Sequence, residues 1–101
     1  MDWLKCFRLY KKKYRAHAIE RMVSRNIRFS DIDEAAENWV LIEKYSDDTP
    51  YPSCLVLGFS KRKKPIHLVF SVAHTESTIY IITVYEPTST RWRDNFQRRK
   101  E

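Results

Sequence analysis

The chain has 101 residues, with 19 Lys and Arg against 13 Asp and Glu, so its formal net charge is +6 at neutral pH. This length suits one domain, residues 1–101, with its own hydrophobic core, and it excludes a two-domain enzyme. With 43% apolar and 14% aromatic residues, the composition is that of a folded protein and excludes a disordered chain.

The sequence predicts neither a membrane-spanning nor a secretory segment. Its longest uncharged apolar stretch, residues 66–73, is far shorter than the ~20 residues of a spanning helix. The first residues lack the basic and apolar regions of a secretory signal. We therefore expect a cytoplasmic protein without membrane contact, in which Cys6 and Cys54 stay reduced as small hydrophobic residues.

Two helices are predicted in the first part of the chain. The first covers Tyr14 to Ile27, because its apolar residues recur with helical period and form one stripe, Ala18, Ile19, Met22 and Val23. The opposite face carries Lys13, His17, Arg21 and Arg25, each four residues apart. The second helix is predicted from Asp31 to Asn38, with Ser30 as its N-cap and acidic residues in its first turn.

The chain from Trp39 onward predicts strands. β-Branched and aromatic residues gather in four runs, 39–45, 54–59, 66–73 and 78–85, separated by turn-forming residues. Short connections favour an antiparallel meander. The expected fold is therefore α+β: N-terminal helices on one face of a four-stranded antiparallel sheet. A charged tail, residues 88–101, follows and has the option of a short helix from Ser89.

Basic residues occur in clusters, as binding to a polyanion such as RNA requires. The candidate RNA-binding residues are Lys13, Arg25, Lys61, Arg62, Lys63, Lys64, Arg91, Arg98 and Arg99, with Trp92 or Tyr51 as base-stacking aromatics. A charge run is equally compatible with a solvated surface, so charge alone leaves contact with nucleic acid open.

His17 and Arg21 lie one turn apart on the first predicted helix and point the same way. An imidazole transfers protons near neutral pH, and a guanidinium stabilises a phosphate, so this pair suits phosphodiester cleavage. The alternative is a solvent-facing histidine beside an arginine, with Glu20 as an ion-pair partner.

Further polar candidates lie on the last two predicted strands. If Ile66, Leu68 and Phe70 face the core, His67 on the same strand faces outward.

Thr83 and Tyr85 end the fourth predicted strand, on the face of Ile79 and Ile81. Whether they lie beside His67 depends on the hairpin register, because a slip of one residue moves every side chain to the other face. The structural alternatives are a buried hydroxyl for Thr83 and a packed aromatic ring for Tyr85.

Cofactor chemistry has little support. His17, His67 and His74 lack the spacing of metal ligands, so no metal is expected. The acidic residues concentrate at a predicted helix start and in a turn, which disfavours a metal-dependent nuclease. A single glycine excludes a glycine-rich phosphate loop, so no nucleotide cofactor is expected.

Five ordered motifs resemble the bacterial domain of unknown function DUF4258. They are the HAIERMVSRNI segment at residues 17–27, SDI at 30–32, YSDDTPYPSCLVLG at 45–58, PIHLV at 65–69, and ITVYEP at 82–87 followed by Trp92. The resemblance extends over most of residues 14–100. One departure is Arg15, where the family commonly has a small hydroxyl residue.

The resemblance implies a fold similar to RelE-like ribonuclease toxins, a group with the barnase-like and MqsR-like nucleases (the BECR fold). It implies the toxin component of a toxin–antitoxin system, accompanied by a small antitoxin with a zinc-ribbon domain. The residues that lie in the motifs and suit the chemistry are His17, Arg21, His67, Thr83 and Tyr85.

The leading hypothesis is a metal-independent endoribonuclease that leaves a cyclic phosphate. His17 would act as base or acid, with His67 or Tyr85 as its complement, and Arg21 would stabilise the transition state. The alternatives are a non-catalytic RNA-binding domain of the same fold, or a domain that only binds an antitoxin.

Overall fold

The computed structural model describes residues 1–100. Three α-helices are present, α1 (Trp3–Leu9), α2 (Ala16–Ser24) and α3 (Phe29–Ala35). The strands are β1 (Lys11–Tyr14), β2 (Val40–Tyr45), β3 (Ser53–Phe59), β4 (Pro65–Ala73), β5 (Thr78–Tyr85), β6 (Trp92–Arg93) and β7 (Arg98–Arg99). A 3₁₀ turn, His74–Glu76, joins β4 to β5. None of the helices in residues 1–100 has the length and apolar character needed to cross a membrane.

The main sheet is mixed and has five strands in the order β1-β5-β4-β3-β2. The α+β class and the four predicted strands are confirmed, but the prediction of a purely antiparallel four-stranded sheet is wrong. β1 adds to β5 in parallel. Its sequence, Lys-Lys-Lys-Tyr, has no alternation of apolar and polar residues, so a strand is not predicted there. Lysines suit this edge position, since their charge discourages pairing with another chain.

Helix α1 was not predicted. The side chain of Asp2 caps it by accepting the backbone N–H of Lys5 at 3.1 Å. Trp3 and Phe7, four residues apart, are its buried residues. This helix is therefore short and is stabilised mainly by the two aromatic side chains that it buries.

Both predicted helices have different ends in the structure. The first begins at Ala16 because Tyr14 belongs to β1, and it ends at Ser24 before Asn26, whose φ of 54° is left-handed. The second begins at Phe29, so Ser30 is not its N-cap. Instead the Asp31 carboxylate accepts the N–H of Arg28 at 2.9 Å.

The single glycine allows α3 to pack closely on β3. A Cβ at Gly58 would lie 2.4 Å from the carbonyl oxygen of Ala35 and 2.8 Å from its Cβ. Asn38, predicted as the end of the second helix, lies beyond it. Its amide oxygen accepts the N–H of Phe59 at 2.8 Å and its amide nitrogen donates to the Phe59 carbonyl at 3.0 Å. These contacts fix α3 and the start of β2 against the end of β3.

The three helices cover one face of the sheet, here called the helix face. Phe70 is fully buried at its centre, with ring centroids 5.0 Å from Phe7, 6.3 Å from Trp39 and 6.5 Å from Trp3. The aliphatic side chains of β3, β4 and β5 complete this core, namely Val56, Ile66, Leu68, Val72, Ile79, Ile81 and Val84. Cys54 is buried in it as a free thiol, and burial raises its pKa to about 12.

A β-bulge decides which face the end of β5 presents. Val69 pairs with Thr83 but Phe70 pairs with Ile81, so Ile82 is an extra residue on β5. An extra residue reverses the alternation of side chains beyond it. Thr83 and Tyr85 therefore lie opposite to Ile79 and Ile81, and the prediction of a shared face is wrong. Tyr85 instead pairs directly with His67.

Residues 88–100, here called the C-terminal arm, fold back over the other face of the sheet, the arm face. The arm is a hairpin of β6 and β7 rather than a helix from Ser89. Asp94, Asn95 and Phe96 turn it with φ of 53°, 58° and 71°, a conformation that no helix continues. His67 lies on the face opposite Ile66, Leu68 and Phe70, as the alternation predicts, but the arm buries it completely, so it is not exposed to solvent.

Candidate functional site

A cleft of about 770 Å³ opens where α2, the end of β5 and the C-terminal arm meet. Five of its lining residues are basic and one is acidic. The lining consists of Arg21, Arg25, Tyr85, Glu86, Pro87, Thr88, Thr90, Arg91, Trp92, Arg99 and Lys100. A cleft with this imbalance concentrates a positive potential, which attracts anions.

Three of the cleft arginines are free to bind a ligand. Arg21, Arg25 and Arg91 form no ion pair with an acidic residue of the described chain. The single acid, Glu86, lies 3.7 Å from the Lys64 ammonium. The positive charge of these three arginines is therefore not neutralised by an acidic side chain within residues 1–100.

Tyr85 and His67 form a defined hydrogen-bonded pair next to this cleft. His67 Nε2 lies 2.9 Å from the Phe96 carbonyl oxygen, and Nδ1 lies 3.0 Å from the Tyr85 hydroxyl. Because a carbonyl only accepts, Nε2 must carry the proton of the neutral ring, and the Tyr85 hydroxyl then donates to Nδ1. Within residues 1–100 the Tyr85 oxygen has no hydrogen-bond partner other than His67.

Burial changes the proton affinity of both groups. It lowers the pKa of His67 below its ordinary 6.5, with a further lowering by Arg99 and opposing contributions from the Phe96 carbonyl and Glu43. Burial also raises the pKa of Tyr85 above 10.0. At neutral pH the pair is therefore an uncharged imidazole and an uncharged phenol.

The arm holds this pair from the other side. The Trp92 ring lies edge to face on His67, with centroids 4.3 Å apart, and the Arg99 guanidinium lies 4.8 Å from the Trp92 centroid. Arg99 also donates twice to Glu43, at 2.9 and 3.0 Å. This fork-to-carboxylate contact ties β7 to β2 and places a cation at the cleft.

Glu43 is shared between Arg99 and the Tyr45 hydroxyl, which also donates to it. The hydrogen bond from Arg99 lowers the pKa of Glu43, outweighing burial. Burial and the neighbouring Glu43 raise the pKa of Tyr45 to about 12. Sequence reasoning missed this group, although Glu43 and Tyr45 are two residues apart on a strand, the spacing of a shared face.

His17 lies outside the cleft. Its side chain is 61% exposed, and its Nδ1 lies 3.9 Å from the Glu20 carboxylate. Arg21, one turn later, does line the cleft. The structure thus brings together Arg21 and Tyr85 at the cleft and His67 behind Tyr85, but it leaves His17 at the surface.

Thr83 and Lys13 lie on the arm face away from the cleft lining. Thr83 is half-buried opposite Val69, and Lys13 pairs with Tyr80 across β1 and β5. Neither residue lines the cleft.

The basic loop between β3 and β4 has partly structural contacts. Arg62 donates to the buried Asp31 carboxylate through Nη2 at 2.6 Å and through Nε at 3.2 Å. Lys64 donates to the carbonyl of Asn26 at 3.1 Å. Lys61 and Lys63 are exposed.

On the arm, Arg98 lies 3.4 Å from Asp94. Of the predicted RNA-binding residues, only Arg25, Arg91, Trp92 and Arg99 therefore line the cleft.

Residues 1–100 contain no cluster of three His, Cys, Asp or Glu side chains that could hold a metal ion. The arrangement at the cleft instead offers guanidinium groups for an anion and a tyrosine–histidine pair for proton transfer.

A family model described as "Domain of unknown function (DUF4258)" matches residues 14–86. No curated protein matches the chain.

Proposed function

The chain belongs to the DUF4258 family, and we propose that it is a metal-independent endoribonuclease of RelE-like fold, the toxin component of a cytoplasmic toxin–antitoxin pair. Its partners in this proposal are RNA and a small antitoxin with a zinc-ribbon domain. One observation carries the proposal: Tyr85, whose hydroxyl is hydrogen-bonded to His67, lines a cleft with three unpaired arginines.

The cleft suits a phosphodiester. The planar guanidinium groups of Arg21, Arg25 and Arg91 match phosphate oxygens, and none has an acidic partner in residues 1–100 to displace. Charge that grows on the phosphate oxygens during cleavage would be stabilised by the same groups. Binding that depends on these contacts weakens steeply with salt.

The tyrosine–histidine pair supplies a base without forming a free tyrosinate. The Tyr85 oxygen accepts the proton of the ribose 2′-hydroxyl while its own proton passes to Nδ1 of His67. The 2′-oxygen bonds to phosphorus, the bond to the 5′-oxygen breaks, and that oxygen takes a proton from water, which leaves a hydroxide. The products are a 2′,3′-cyclic phosphate and a 5′-hydroxyl, and the imidazolium then gives up its proton through the Tyr85 oxygen, which neutralises the hydroxide and restores the starting pair.

This assignment moves proton transfer from His17 to Tyr85. A general base must reach the proton that it removes, and His17 does not line the cleft. Arg21 keeps its predicted role, because it lies at the cleft.

The test is cleavage of a fluorescent RNA by the purified chain in EDTA. Tyr85→Phe keeps the ring but removes the reacting oxygen, and we expect it to reduce the rate by roughly two to four orders of magnitude. RNA binding by Tyr85→Phe should stay close to wild type. His17→Ala and Arg8→Ala, at exposed residues outside the cleft, are the controls and should keep the rate.

Full activity of Tyr85→Phe would contradict the proposed base, and loss of activity in His17→Ala would restore His17 to the mechanism. RNA that is bound in a salt-dependent way but never cleaved would show a non-catalytic RNA-binding domain. Absence of RNA binding, together with capture of an antitoxin, would show a domain that acts only through its protein partner.

A further inference from the structure

A second group of flat side chains lies on the arm face, outside the cleft. The rings of Tyr51 and Tyr80 are stacked, with centroids 6.0 Å apart and planes within 7° of parallel. The guanidinium carbon of Arg15 lies 4.5 Å from the Tyr80 centroid. These three residues are here called the tyrosine platform. Arg15 is also the residue at which the sequence departs from the DUF4258 pattern.

One carboxylate holds both rings of the platform in place. The Tyr51 and Tyr80 hydroxyls donate to the two different oxygens of Glu76, in the turn between β4 and β5. Both rings are only half-buried. Side chains that are already ordered lose little conformational entropy when a ligand binds to them.

The surroundings of the platform are basic. Lys13 pairs with Tyr80 across β1 and β5, and Lys11 lies two residues before it on the same strand face. Lys11, Lys13 and Arg15 are exposed, and within residues 1–100 none of them forms an ion pair. The nearby acid, Glu76, is occupied by the two tyrosines. Flat rings beside unpaired cations are the combination that binds single-stranded nucleic acid.

The platform and the cleft share one face of the sheet. Tyr80 pairs with Ser71 and Tyr85 pairs with His67, four residues earlier on β4. An even spacing on β4 puts both tyrosines on the arm face, about 13 Å apart at about 3.3 Å per residue. This alignment depends on the bulge at Ile82, because without the extra residue Tyr80 and Tyr85 would face opposite sides.

The surface between the two sites is partly open. Thr83 and Val69, a cross-strand pair between Tyr80 and Tyr85, are both only half-buried. An extended strand of a few nucleotides can therefore follow β5 from the cleft to the platform. Thr83 would lie along this path with a hydroxyl available for hydrogen bonding.

We propose that the tyrosine platform is a second RNA subsite, which stacks an unpaired base of the strand whose phosphate is held in the cleft. This inference rests on the proposed RNA-binding function. Stacking accepts any base, so the subsite selects single-stranded RNA without reading its sequence.

The test measures binding of an eight-nucleotide 2′-O-methyl RNA, which the mechanism above cannot cleave, by fluorescence anisotropy. The variant is Tyr51→Leu with Tyr80→Leu, and its matched control is Tyr51→Phe with Tyr80→Phe. Both double variants lose the same two hydrogen bonds to Glu76, but only the leucine variant loses the aromatic rings. Thermal unfolding of both shows whether they are equally folded.

We expect the leucine variant to bind this RNA about 5- to 100-fold more weakly and the phenylalanine variant to bind it like wild type. An abasic oligonucleotide of the same length has phosphates but nothing to stack, so the leucine variant should bind it like wild type. Equal losses for both oligonucleotides, or a phenylalanine variant as weak as the leucine variant, would overturn the subsite.

A cleft variant, Arg21→Ala with Arg91→Ala, separates this inference from the proposed function. It should weaken binding of both oligonucleotides alike, because it removes phosphate contacts. If only the cleft variant weakens binding, the platform is wrong and the cleft stands. If only the leucine variant does so, the cleft assignment is wrong and the platform stands. A wild-type chain that binds neither oligonucleotide contradicts both.

Discussion

On the helix face of the sheet, Phe70 is enclosed by the rings of Trp3, Phe7 and Trp39, whereas on the arm face His67 is enclosed by a hairpin with little regular structure. Both side chains are fully buried and lie three residues apart on β4. Phe70 has no polar atom in its side chain, while both ring nitrogens of His67 have partners.

The difference shows that the two faces of one sheet differ in the polar groups that they bury. Apolar contacts on the helix face are non-directional and add up over many atoms. The arm face also buries apolar side chains, Leu55, Leu57 and Trp92, but its hydrogen bonds in addition fix the position and tautomer of titratable groups. Of the three left-handed residues in the arm, Asp94 and Asn95 tolerate this conformation, whereas Phe96 costs about 1–2 kcal/mol, which the contacts of Trp92 and Arg99 offset.

The largest expected effect is on the helix face. Phe70→Ala leaves a cavity among three aromatic rings and should lower the free energy of unfolding by about 3–5 kcal/mol. Thr83→Ala, at a half-buried residue on the arm face, should lower it by less than about 1 kcal/mol. Urea unfolding measures both, and similar losses would contradict the contrast between the faces.

His67→Phe tests the arm face directly. The substitution keeps a ring of similar shape but leaves the Tyr85 hydroxyl and the Phe96 carbonyl without their partner, so we expect a loss of about 1–3 kcal/mol. RNA cleavage should fall together with that of Tyr85→Phe if the pair acts as a unit. Wild-type stability in His67→Phe would show that the hydrogen bonds do not hold the arm.

The pH dependence of the free energy of unfolding is a second test of His67. Its pKa in the folded protein is lowered by burial from 6.5, so between the two values the unfolded chain binds a proton that the folded chain does not. The stabilisation is therefore complete above pH 6.5 and is lost as the pH falls through the folded pKa. Wild type should lose stability in this window and His67→Phe should not, as urea unfolding at a series of pH values would show.

The smallest expected effect concerns the ion pair between α3 and the basic loop. Arg62→Met removes the main partner of the buried Asp31 carboxylate. Because the Arg62 side chain is 38% exposed and the Arg28 N–H remains as a partner of Asp31, solvent screens the pair and the expected loss of stability is smaller than that of His67→Phe. Lys61→Met, an adjacent exposed residue, is the matched control and should change stability by less than about 0.5 kcal/mol.

The difference in stability between wild type and Arg62→Met should disappear at low pH. Burial alone would raise the pKa of Asp31, but hydrogen bonds and charge from Arg62 and Arg28 bring it below its ordinary 3.8. The stabilisation is thus present above pH 3.8 and disappears as the pH falls through the lower folded value. A difference between wild type and Arg62→Met that persists in strong acid would contradict the ion pair.

Strongly patterned segments were predictable from the sequence. The run at 78–85 is the observed β5, and the other three predicted strands differ by one residue at one end. The alternation of apolar residues and the turn residues between the runs reflect burial against a core. Both predicted helices exist with shorter or shifted bounds, since helix ends depend on side chains such as Asp31 that act on neighbouring backbone.

The same reasoning missed β1, α1 and the arm. β1 consists of three lysines and a tyrosine, and it is a strand only because β5 presents a free edge to it. The sequence predicted the types of residue at the candidate site, including Arg21, Tyr85 and Arg99. It did not predict which of the candidate residues the fold brings together. Arg21 lines the cleft and His17 does not, because the cleft is formed where the arm comes close to one part of α2.

The sequence by itself determined the α+β class, the family and the chemical types available at a site, because these depend on local patterns of polarity and on ordered motifs. Only the tertiary structure decided that Tyr85 lies beside His67 and on the same face as Tyr80. A bulge of one residue at Ile82 reverses a strand face, and the arm buries a histidine that alternation alone directs to solvent. Both depend on contacts between residues far apart in the chain, which no local pattern encodes.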